Sequence, residues 1–468
     1  MATITLAERP VASPLGHASK RRGSNPERRQ LDRHFALRVA LGIAVSFAVI
    51  WLLQDLLWGR GRVPTTWLEL LVVATSVSWV LAFPSAVLGT VGLVMYGRRS
   101  RPTASEVSNT VSFRIVSRGQ NADALRGTIA SIRKAVAGQP LFPYRIEVVT
   151  DIPVELDDGP DLVHYVVPAD YQTPNRSKYK ARALEYALHA SDLPDDAWLM
   201  HLDEESHATP SLVRGVAIAV REEEASGELR IGQGAILYHR DLGSEGFLTL
   251  ADSIRTGDDL GRFYFQHRFG ETIFGLHGSF ILVRNDVEKE VGFDFGPKGS
   301  ITEDAFWAVV QMQNGRRCRW VDGFIIEQAT RSLKDFIMQR RRWFIGLVLV
   351  ALHAPVRWRY RAAIGVSTVL WSVSWVGVLV TYVNLVVGVE VPLPIRVTGD
   401  MAFAFYVMLY FLGIRLQLHY DGRLGRLHRL GHYAATIILI PVFSVLEGLG
   451  VVYGLLRPDV AGFHVVEK

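Results

Sequence analysis

Three consecutive acidic residues, Asp203, Glu204 and Glu205, directly follow the apolar segment 198–202. This segment predicts a β-strand, in which alternate side chains share one side, so we expect Asp203 and Glu205 to converge and Glu204 to point away. Two carboxylates suit a hard divalent cation, Mg²⁺ or Mn²⁺, which completes its coordination shell with water and substrate phosphates. Acidic triplets are common, and a solvated turn is the competing interpretation.

A second acidic motif, Thr302-Glu303-Asp304, precedes the apolar segment 305–310, which has the pattern of a helix. Thr302 is placed to cap this helix. A carboxylate at this position could act as a general base and accept a proton from a hydroxyl nucleophile. The alternative is a helix cap without a chemical role.

Basic residues next to aromatic or apolar ones form a third group. Gln339 to Trp343 reads Gln-Arg-Arg-Arg-Trp and precedes the segment 344–351, which is apolar but too short to cross a bilayer. The pattern is typical of an interfacial helix. It would also present a guanidinium and an indole to a diphosphate leaving group and a sugar. On the predicted helix 178–190, Lys180 and Arg182 could bind a phosphate, or could lie on an exposed face.

The elements that carry these motifs alternate between strands and helices. Segments 111–116, 144–150 and 198–202 read as strands, and a helix is predicted at about 123–137. Such alternation indicates an α/β layer structure. In open α/β sheets ligands bind beyond the carboxyl ends of the strands, where the first acidic motif lies.

Five apolar segments flank this α/β region and predict transmembrane helices. They are residues 39–53, 70–96, 362–389, 401–414 and 433–456, the last interrupted by Glu447. Basic residues cluster before the first segment and after the second, which predicts a cytoplasmic catalytic domain in a multi-pass membrane protein, in the plasma membrane if the source is prokaryotic. The predicted division is a disordered basic tail 1–34, a transmembrane hairpin 35–101, a cytoplasmic domain 102–336, interfacial helices 337–361 and C-terminal transmembrane helices 362–468.

Composition excludes several other classes of protein. The 51 Lys and Arg residues exceed the 46 Asp and Glu residues by five, too small an excess to indicate nucleic-acid binding. A charged share of 21% excludes a chain that lies in the membrane throughout. The single cysteine, Cys318, excludes intramolecular disulfides and cysteine-ligated zinc.

The three motifs in this order resemble those of the membrane-integrated family 2 glycosyltransferases. The segments 180–184, 201–205, 250–255 and 339–343 are most similar to Egghead-type β-1,4-mannosyltransferases. The resemblance covers about 112–361 and implies a GT-A fold, that is, a Rossmann-like α/β domain. It also implies transfer of a sugar from a nucleotide diphosphate to an acceptor hydroxyl, with inversion and without a covalent intermediate.

The resemblance also implies roles for individual residues. The general base would be Asp304, and Asp203 with Glu205 would hold the divalent cation. The donor would be bound by Arg118 and Asp151 at the nucleoside, and by Lys180, Asp203 and Arg342 at the diphosphate. The acceptor site would include Glu303, His277, Gln339 and Trp343, although a structural hydrogen-bonding role is the alternative for His277.

The resemblance favours GDP-mannose as donor and a β-1,4 linkage to a glycolipid or oligosaccharide acceptor at the bilayer. One alternative is a processive synthase of a mannan- or cellulose-like β-glycan that uses a GDP- or UDP-sugar. A remote alternative is a non-enzymatic membrane sensor or transporter. We expect a nucleotide sugar, an acceptor and lipid as partners, and no nucleic acid.

Overall fold

A computed structural model describes residues 34–59, 61–99, 102–157, 159–238, 246–421 and 425–459. The predicted basic tail, apart from His34, lies outside these residues. The described chain consists of an α/β domain and a group of long apolar helices, which confirms the predicted combination of the two.

Eight strands in the described part of the chain form one mixed sheet in the order β3-β2-β1-β4-β7-β6-β8-β5. Neighbouring strands among β1 to β4 are parallel, whereas β7 is antiparallel to both β4 and β6. The carboxyl ends of β1, β2 and β4 therefore meet at one edge. The strands are β1 Val111–Ser117, β2 Tyr144–Thr150, β3 Leu162–Val166, β4 Trp198–Asp203, β5 His207–Ala208, β6 Ile231–Tyr238, β7 Ile281–Arg284 and β8 Cys318–Glu327.

Helices surround this sheet and connect its strands. A π-helical turn, Asp259–Phe263, lies between two of these helices, and such turns recur at functional sites. The helices of this domain are α4 Ala122–Ala137, α5 Tyr179–Ala190, α6 Pro210–Ser226, α7 Phe247–Ala251, α8 Ser253–Asp258, α9 Tyr264–Phe269, α10 Asn285–Lys289, α11 Gly296–Gly299 and α12 Glu303–Gln313.

Five apolar segments of the described chain are long enough to cross a membrane, as the sequence predicts, and they indicate membrane association. The first is longer than predicted at both ends, and its polar end is paired: Asp55 accepts a hydrogen bond from Arg396 at 2.7 Å. The helices are α1 Phe35–Trp58, α2 Trp67–Ser76 with α3 Ser78–Gly97, α14 Trp358–Val387, α15 Leu393–Asp421 and α16 Arg426–Leu456.

The helix α13, Leu333–His353, joins the two parts of the molecule. It contains both the Gln-Arg-Arg-Arg-Trp motif and the apolar residues after it, and it packs closely against α16 at two glycines. A Cβ atom at Gly450 would lie 2.4 Å from Arg340 Cβ, and one at Gly454 would lie 2.7 Å from Phe344 Cδ1. These glycines therefore allow the two helices to approach.

A buried ionic cluster lies inside the sheet. Arg114 on β1 has no exposed side-chain surface and contacts Glu147 at 2.8 Å and Glu288 at 2.6 Å. Glu288 also contacts His201, the residue two before Asp203. Because loss of one partner leaves a buried charge uncompensated, such a cluster fixes the relative positions of β1, β2 and α10.

Candidate active site

A cavity of about 450 Å³ opens at the carboxyl ends of β1, β2 and β4 and extends between the apolar helices α14, α15 and α16. Its position agrees with the general rule for ligand sites in open α/β sheets. Every residue to which the family resemblance assigns a role lines this one cavity: Arg118, Asp151, Lys180, Asp203, Glu205, His277, Glu303, Asp304, Gln339, Arg342 and Trp343.

Lys180, on the first turn of α5, is a cation of the cavity wall that faces several carboxylates. Its Nζ lies 2.5 Å from Asp203 Oδ1 and donates a hydrogen bond to the carbonyl oxygen of Gly278 at 3.2 Å. Glu303 Oε1 is 3.8 Å away. Burial alone would lower the pKa of Lys180, but the charges of Asp203 and Glu303 outweigh it and raise the pKa above its ordinary value. The amine is therefore protonated at neutral pH.

The acidic triplet does not alternate as predicted. Strand β4 ends at Asp203, so Glu204 and Glu205 belong to the turn that follows, and the alternation of a strand no longer applies. All three residues line the cavity. The expectation that Glu204 points away is thus wrong: its carboxylate accepts a hydrogen bond from the Ser117 hydroxyl at the end of β1.

Glu303 and Asp304 begin α12 and lie side by side in the cavity wall. Burial raises the pKa of both carboxyls, while the nearby Lys180 opposes the shift. Asp304 Oδ1 accepts a hydrogen bond from the backbone N–H of Ala305 at 2.7 Å. A Cβ atom at Gly278 would lie 3.1 Å from Asp304 Oδ2 and 3.2 Å from Lys180 Nζ, so the absence of a side chain there leaves room beside both groups.

Two smaller expectations need correction. Thr302 occupies the N-cap position of α12, but within the described residues its side chain makes no capping hydrogen bond. It packs instead against α13, where a Cβ atom at Gly346 would lie 2.2 Å from Thr302 Cγ2. Arg182, considered with Lys180 for phosphate binding, is not among the described residues that line the cavity. Its guanidinium donates to Asp151 at 2.5 Å.

The two residues expected at the nucleoside follow neighbouring strands. Arg118 is exposed in the loop after β1, and Asp151 directly follows β2. Because β1 and β2 are parallel neighbours, their ends bring both side chains to the same edge of the cavity. Arg182, which lies on α5, forms an ion pair with the Asp151 carboxylate.

His277 is held by a residue that the sequence did not reveal. Its Nε2 lies 2.7 Å from Asp259 Oδ1, and the other carboxylate oxygen of Asp259 accepts the backbone N–H of Ile236 at 2.9 Å. The Phe263 ring lies over the imidazole, with 4.3 Å between ring centroids. Asp259 and Phe263 are the two ends of the π-helical turn, which thus orients His277.

The helix α13 contributes Gln339, Arg342 and Trp343 to the cavity. Two guanidinium groups lie near the Trp343 ring, Arg255 at 4.2 Å and Arg340 at 4.5 Å from its centroid, within the range of a cation–π interaction. Gln339 Oε1 accepts a hydrogen bond from Arg340 at 2.5 Å.

The cavity has two parts of different chemistry. The donor half lies in the α/β domain and includes the cavity residues Arg118, Asp151, Lys180, Asp203, Glu205, Glu303 and Asp304. The membrane half consists of the cavity residues of the long apolar helices: Ser367, Trp371, Ser374, Trp375, Val378, Tyr406, Leu409, Tyr410, Ile440, Ser444, Glu447 and Val451. Trp343 and His277 line the same cavity from α13 and from the loop before β7.

Comparison with known proteins agrees with this arrangement. The profile of "Glycosyl transferase family group 2" matches residues 198–418, which include the acidic turn, Asp304 and the Gln-Arg-Arg-Arg-Trp motif. Residues 198–418 thus match the family 2 glycosyltransferases, and the chain is a glycosyltransferase enzyme. It is 29% identical to the β-1,4-mannosyltransferase egh of Drosophila melanogaster over 419 residues, which cover 87% of this chain and 89% of that protein.

A second relative of this glycosyltransferase is the β-1,4-mannosyltransferase bre-3 of Caenorhabditis elegans, 28% identical over 397 residues, with 83% of this chain and 86% of that protein covered. Among solved structures, the mannosyltransferase PcManGT from Pyrobaculum calidifontis in complex with GDP-Man and Mn²⁺ has 12% identity and a TM-score of 0.43. The match covers 83% of this chain and 99% of the PcManGT chain. The match of residues 198–418 to a glycosyltransferase family and the two mannosyltransferase relatives overturn the alternative of a non-enzymatic sensor or transporter.

Sequence reasoning missed several charged residues around the site of this glycosyltransferase, among them Asp259, Arg255, Arg340 and Glu447. Weak signals for them exist. Arg255 lies in the 250–255 segment that carries the family resemblance, and Glu447 is a lone acid in an apolar helix. In the part of the chain that the structure describes, no three His, Cys, Asp or Glu residues converge in a preformed metal site.

Proposed function

We propose that this enzyme transfers mannose from GDP-mannose to a hydroxyl group of a lipid-linked or glycan acceptor and forms a β-1,4 linkage. The named activity of the egh and bre-3 relatives supports mannosyl transfer. The observation that carries the chemistry is the position of Asp304, a carboxylate of raised pKa within the same cavity wall as Lys180 and Asp203.

Asp304 is the proposed general base. A buried carboxylate with a raised pKa is a better proton acceptor than an ordinary aspartate, as long as it is ionised at the working pH. The acceptor hydroxyl gives its proton to Asp304 while its oxygen attacks the anomeric carbon of the donor. The bond from that carbon to the diphosphate breaks, and the diphosphate leaves with the electron pair. One displacement inverts the anomeric centre.

Cationic side chains would stabilise the departing diphosphate. Lys180 and Arg342 line the cavity from opposite elements, α5 and α13, and a guanidinium binds phosphate oxygens in a bidentate manner. Arg118 and Asp151 line the donor half just after β1 and β2, where the nucleoside would be bound. The acceptor would be held between Trp343, Gln339, Glu303 and His277.

Asp203 and Glu205 would hold a divalent cation, Mg²⁺ or Mn²⁺. Both are carboxylates in one turn at the end of β4, the ligand type that these ions prefer. Lys180 Nζ at 2.5 Å from Asp203 indicates that this carboxylate attracts positive charge on its cavity side. When bound, the cation would supply positive charge that neutralises the diphosphate.

A lipid-linked acceptor agrees with the membrane half of the cavity. Its indole and hydroxyl groups suit a sugar ring, and α14, α15 and α16 are long enough to lie within a bilayer. The basic residues that flank α1 and α3 support a cytoplasmic position of residues 102–336 in a multi-pass protein. A nucleotide sugar would then reach the donor half from the cytoplasm.

The test uses the full-length protein purified in detergent, with radiolabelled GDP-mannose or UDP-glucose, Mg²⁺ or Mn²⁺, and a panel of glycolipid acceptors. We expect release of GDP and a lipid product heavier by one mannose, both abolished by chelation of the metal. Asp304→Asn serves as the inactive control.

The same assay distinguishes the alternatives. Activity with UDP-glucose but not with GDP-mannose would contradict the proposed donor. Mass spectrometry that shows a ladder of many added sugars on one acceptor would support the processive synthase instead. No transfer from either nucleotide sugar to any acceptor would contradict the proposal as a whole.

A further inference from the structure

Glu447 is an acidic residue in the apolar helix α16, among residues suited to a membrane interior. Charged groups within membrane helices are costly and are retained where they have a partner or a function. Its partner is Arg340 of α13, whose Nε donates to Glu447 Oε1 at 2.7 Å. The pair therefore links a membrane helix to the helix that carries the Gln-Arg-Arg-Arg-Trp motif.

Arg340 is fully buried and uses each of its nitrogens. In addition to Glu447, it donates to Asp252 Oδ1 at 2.5 Å and to Gln339 Oε1 at 2.5 Å. The Phe336 ring centroid lies 3.9 Å from its Cζ. Burial would lower the pKa of Arg340, but the charges of Glu447 and Asp252 outweigh it and raise the pKa, so the guanidinium remains charged.

The guanidinium of Arg340 also contacts the Trp343 ring, at 4.5 Å from the centroid, and Arg255 contacts the same ring at 4.2 Å. Trp343 lines the cavity, and Arg342 is its neighbour in the chain. Arg340 is not among the described residues of the cavity wall. It therefore reaches the site through Trp343 and Gln339, which both line it.

We propose that Arg340 and Glu447 are positioning residues for Trp343, through which the last membrane helix sets the geometry of the acceptor site. The proposal rests on the proposed glycosyl transfer and adds to it a role for α16. Glu447 fixes the guanidinium by a charge-assisted hydrogen bond, and the guanidinium fixes the indole by a cation–π contact. A misplacement of about 1 Å in a catalytic site costs up to about a hundredfold in rate.

A second ion pair provides a matched control. Arg99, just after α3, contacts Asp322 of β8 at 2.6 Å and also links an apolar helix to the α/β domain. Neither Arg99 nor Asp322 is among the described residues that line the cavity. If the Arg340–Glu447 pair only attached the two parts of the molecule to each other, its loss should affect the enzyme in the same way as loss of the Arg99–Asp322 pair.

The experiment compares full-length Glu447→Gln, Arg340→Lys and Asp322→Asn with wild type. We expect Glu447→Gln and Arg340→Lys to lower kcat for transfer by about tenfold or more, with the KM for the nucleotide sugar unchanged within about twofold. Asp322→Asn should lower the melting temperature about as much as Glu447→Gln does, but it should keep kcat within about twofold of wild type. Glu447→Asp, which keeps the charge, should recover part of the lost kcat.

A spectroscopic readout follows Trp343 directly and does not depend on the identity of the sugar. In protein labelled with 5-fluorotryptophan, the ¹⁹F resonance of Trp343 is assigned by its loss in Trp343→Phe. We expect this resonance to shift or broaden in Glu447→Gln and to stay in place in Asp322→Asn. An unshifted resonance in Glu447→Gln would overturn the proposal even if no transfer activity were found.

Kinetic outcomes can also overturn it. If Glu447→Gln raised only the acceptor KM and left kcat unchanged, Glu447 would contact the acceptor instead of positioning Trp343. An equal loss of kcat in Asp322→Asn would show that the Arg340–Glu447 pair only stabilises the fold and does not position Trp343. Absence of transfer from wild type, together with a shifted Trp343 resonance in Glu447→Gln, would contradict the proposed function and leave the positioning role supported.

Discussion

The two halves of the cavity are built from different side chains and are held in place differently. The donor half is rich in carboxylates around Lys180 and is fixed by strand ends and ion pairs. The membrane half presents indole, phenol and hydroxyl groups, and its helices approach closely at glycines, as Gly448 does at the Trp375 ring. Charge suits a diphosphate and a proton transfer, whereas flat uncharged rings suit a sugar. Variants in the two halves should therefore affect different steps.

The largest effect is expected in the donor half, from Asp304→Asn. Loss of the general base should lower kcat by about 10²- to 10⁴-fold, because the proton of the acceptor hydroxyl has no acceptor. Binding of GDP-mannose, measured by calorimetry, should stay within about threefold of wild type. If donor affinity fell as steeply as kcat, Asp304 would be a donor ligand, and the assignment of the base would be wrong.

A smaller effect, on binding, is expected from Asp203→Ala. Removal of a charged ligand costs about 1.5–3 kcal/mol, which corresponds to a rise of about ten- to a hundredfold in the KM for the donor. The Mn²⁺ concentration required for half-maximal activity should rise with it, measured by titration of the metal. Glu204→Gln, in the same turn, is the matched control, and an equal effect in both variants would contradict the selection of Asp203 as metal ligand.

The pH dependence of kcat should also arise in the donor half, from ionisation of Asp304. Asp304 acts when it is ionised, so activity is present above its pKa and is lost as pH falls through it. Because burial raises this pKa, the acid limb should lie above the value of about 4 for an ordinary aspartate, with about a tenfold loss per pH unit below it. A kcat that stays constant down to pH 4 would contradict a buried carboxylate base.

The smallest effect is expected in the membrane half, from Trp375→Phe. Trp375 lines the cavity, and within the described residues its buried indole N–H has no hydrogen-bond partner, so an acceptor hydroxyl bound against it would supply one. Loss of one neutral hydrogen bond, about 1 kcal/mol, should raise the acceptor KM by about fivefold and leave the donor KM unchanged. Trp371→Phe tests whether ring size alone matters. A changed donor KM in Trp375→Phe would contradict the division of the cavity.

Local pattern was sufficient to predict the edge of the sheet at which the donor half lies. Asp151, Asp203 and Arg118 follow predicted strands, and parallel strands bring their carboxyl ends together whatever the details of packing. The same reasoning failed at Glu204, because the residue where β4 ends is set by the turn after it and not by the apolar run before it.

The contacts between elements far apart in the chain could not be predicted in this way. Arg340 and Glu447 are 107 positions apart, and nothing in the spacing of either motif indicates their contact. Asp259 lines the site because a π-helical turn places it opposite His277, and single π-turns have no clear sequence signal. Contacts between distant helices depend on packing, which is decided by the whole chain.

The close packing of α13 on α16 has a consequence for dissection of the enzyme. Residues 102–336 contain the donor half and have their own sheet, yet a fragment cut there would lack Gln339, Arg342 and Trp343. A longer fragment that ended after α13 would keep Arg340 but lose Glu447, and it would expose to water the apolar face that Gly450 and Gly454 now cover. Soluble truncations are therefore poor substitutes for the whole chain, and inhibitors or crystals are best sought with the last helix in place.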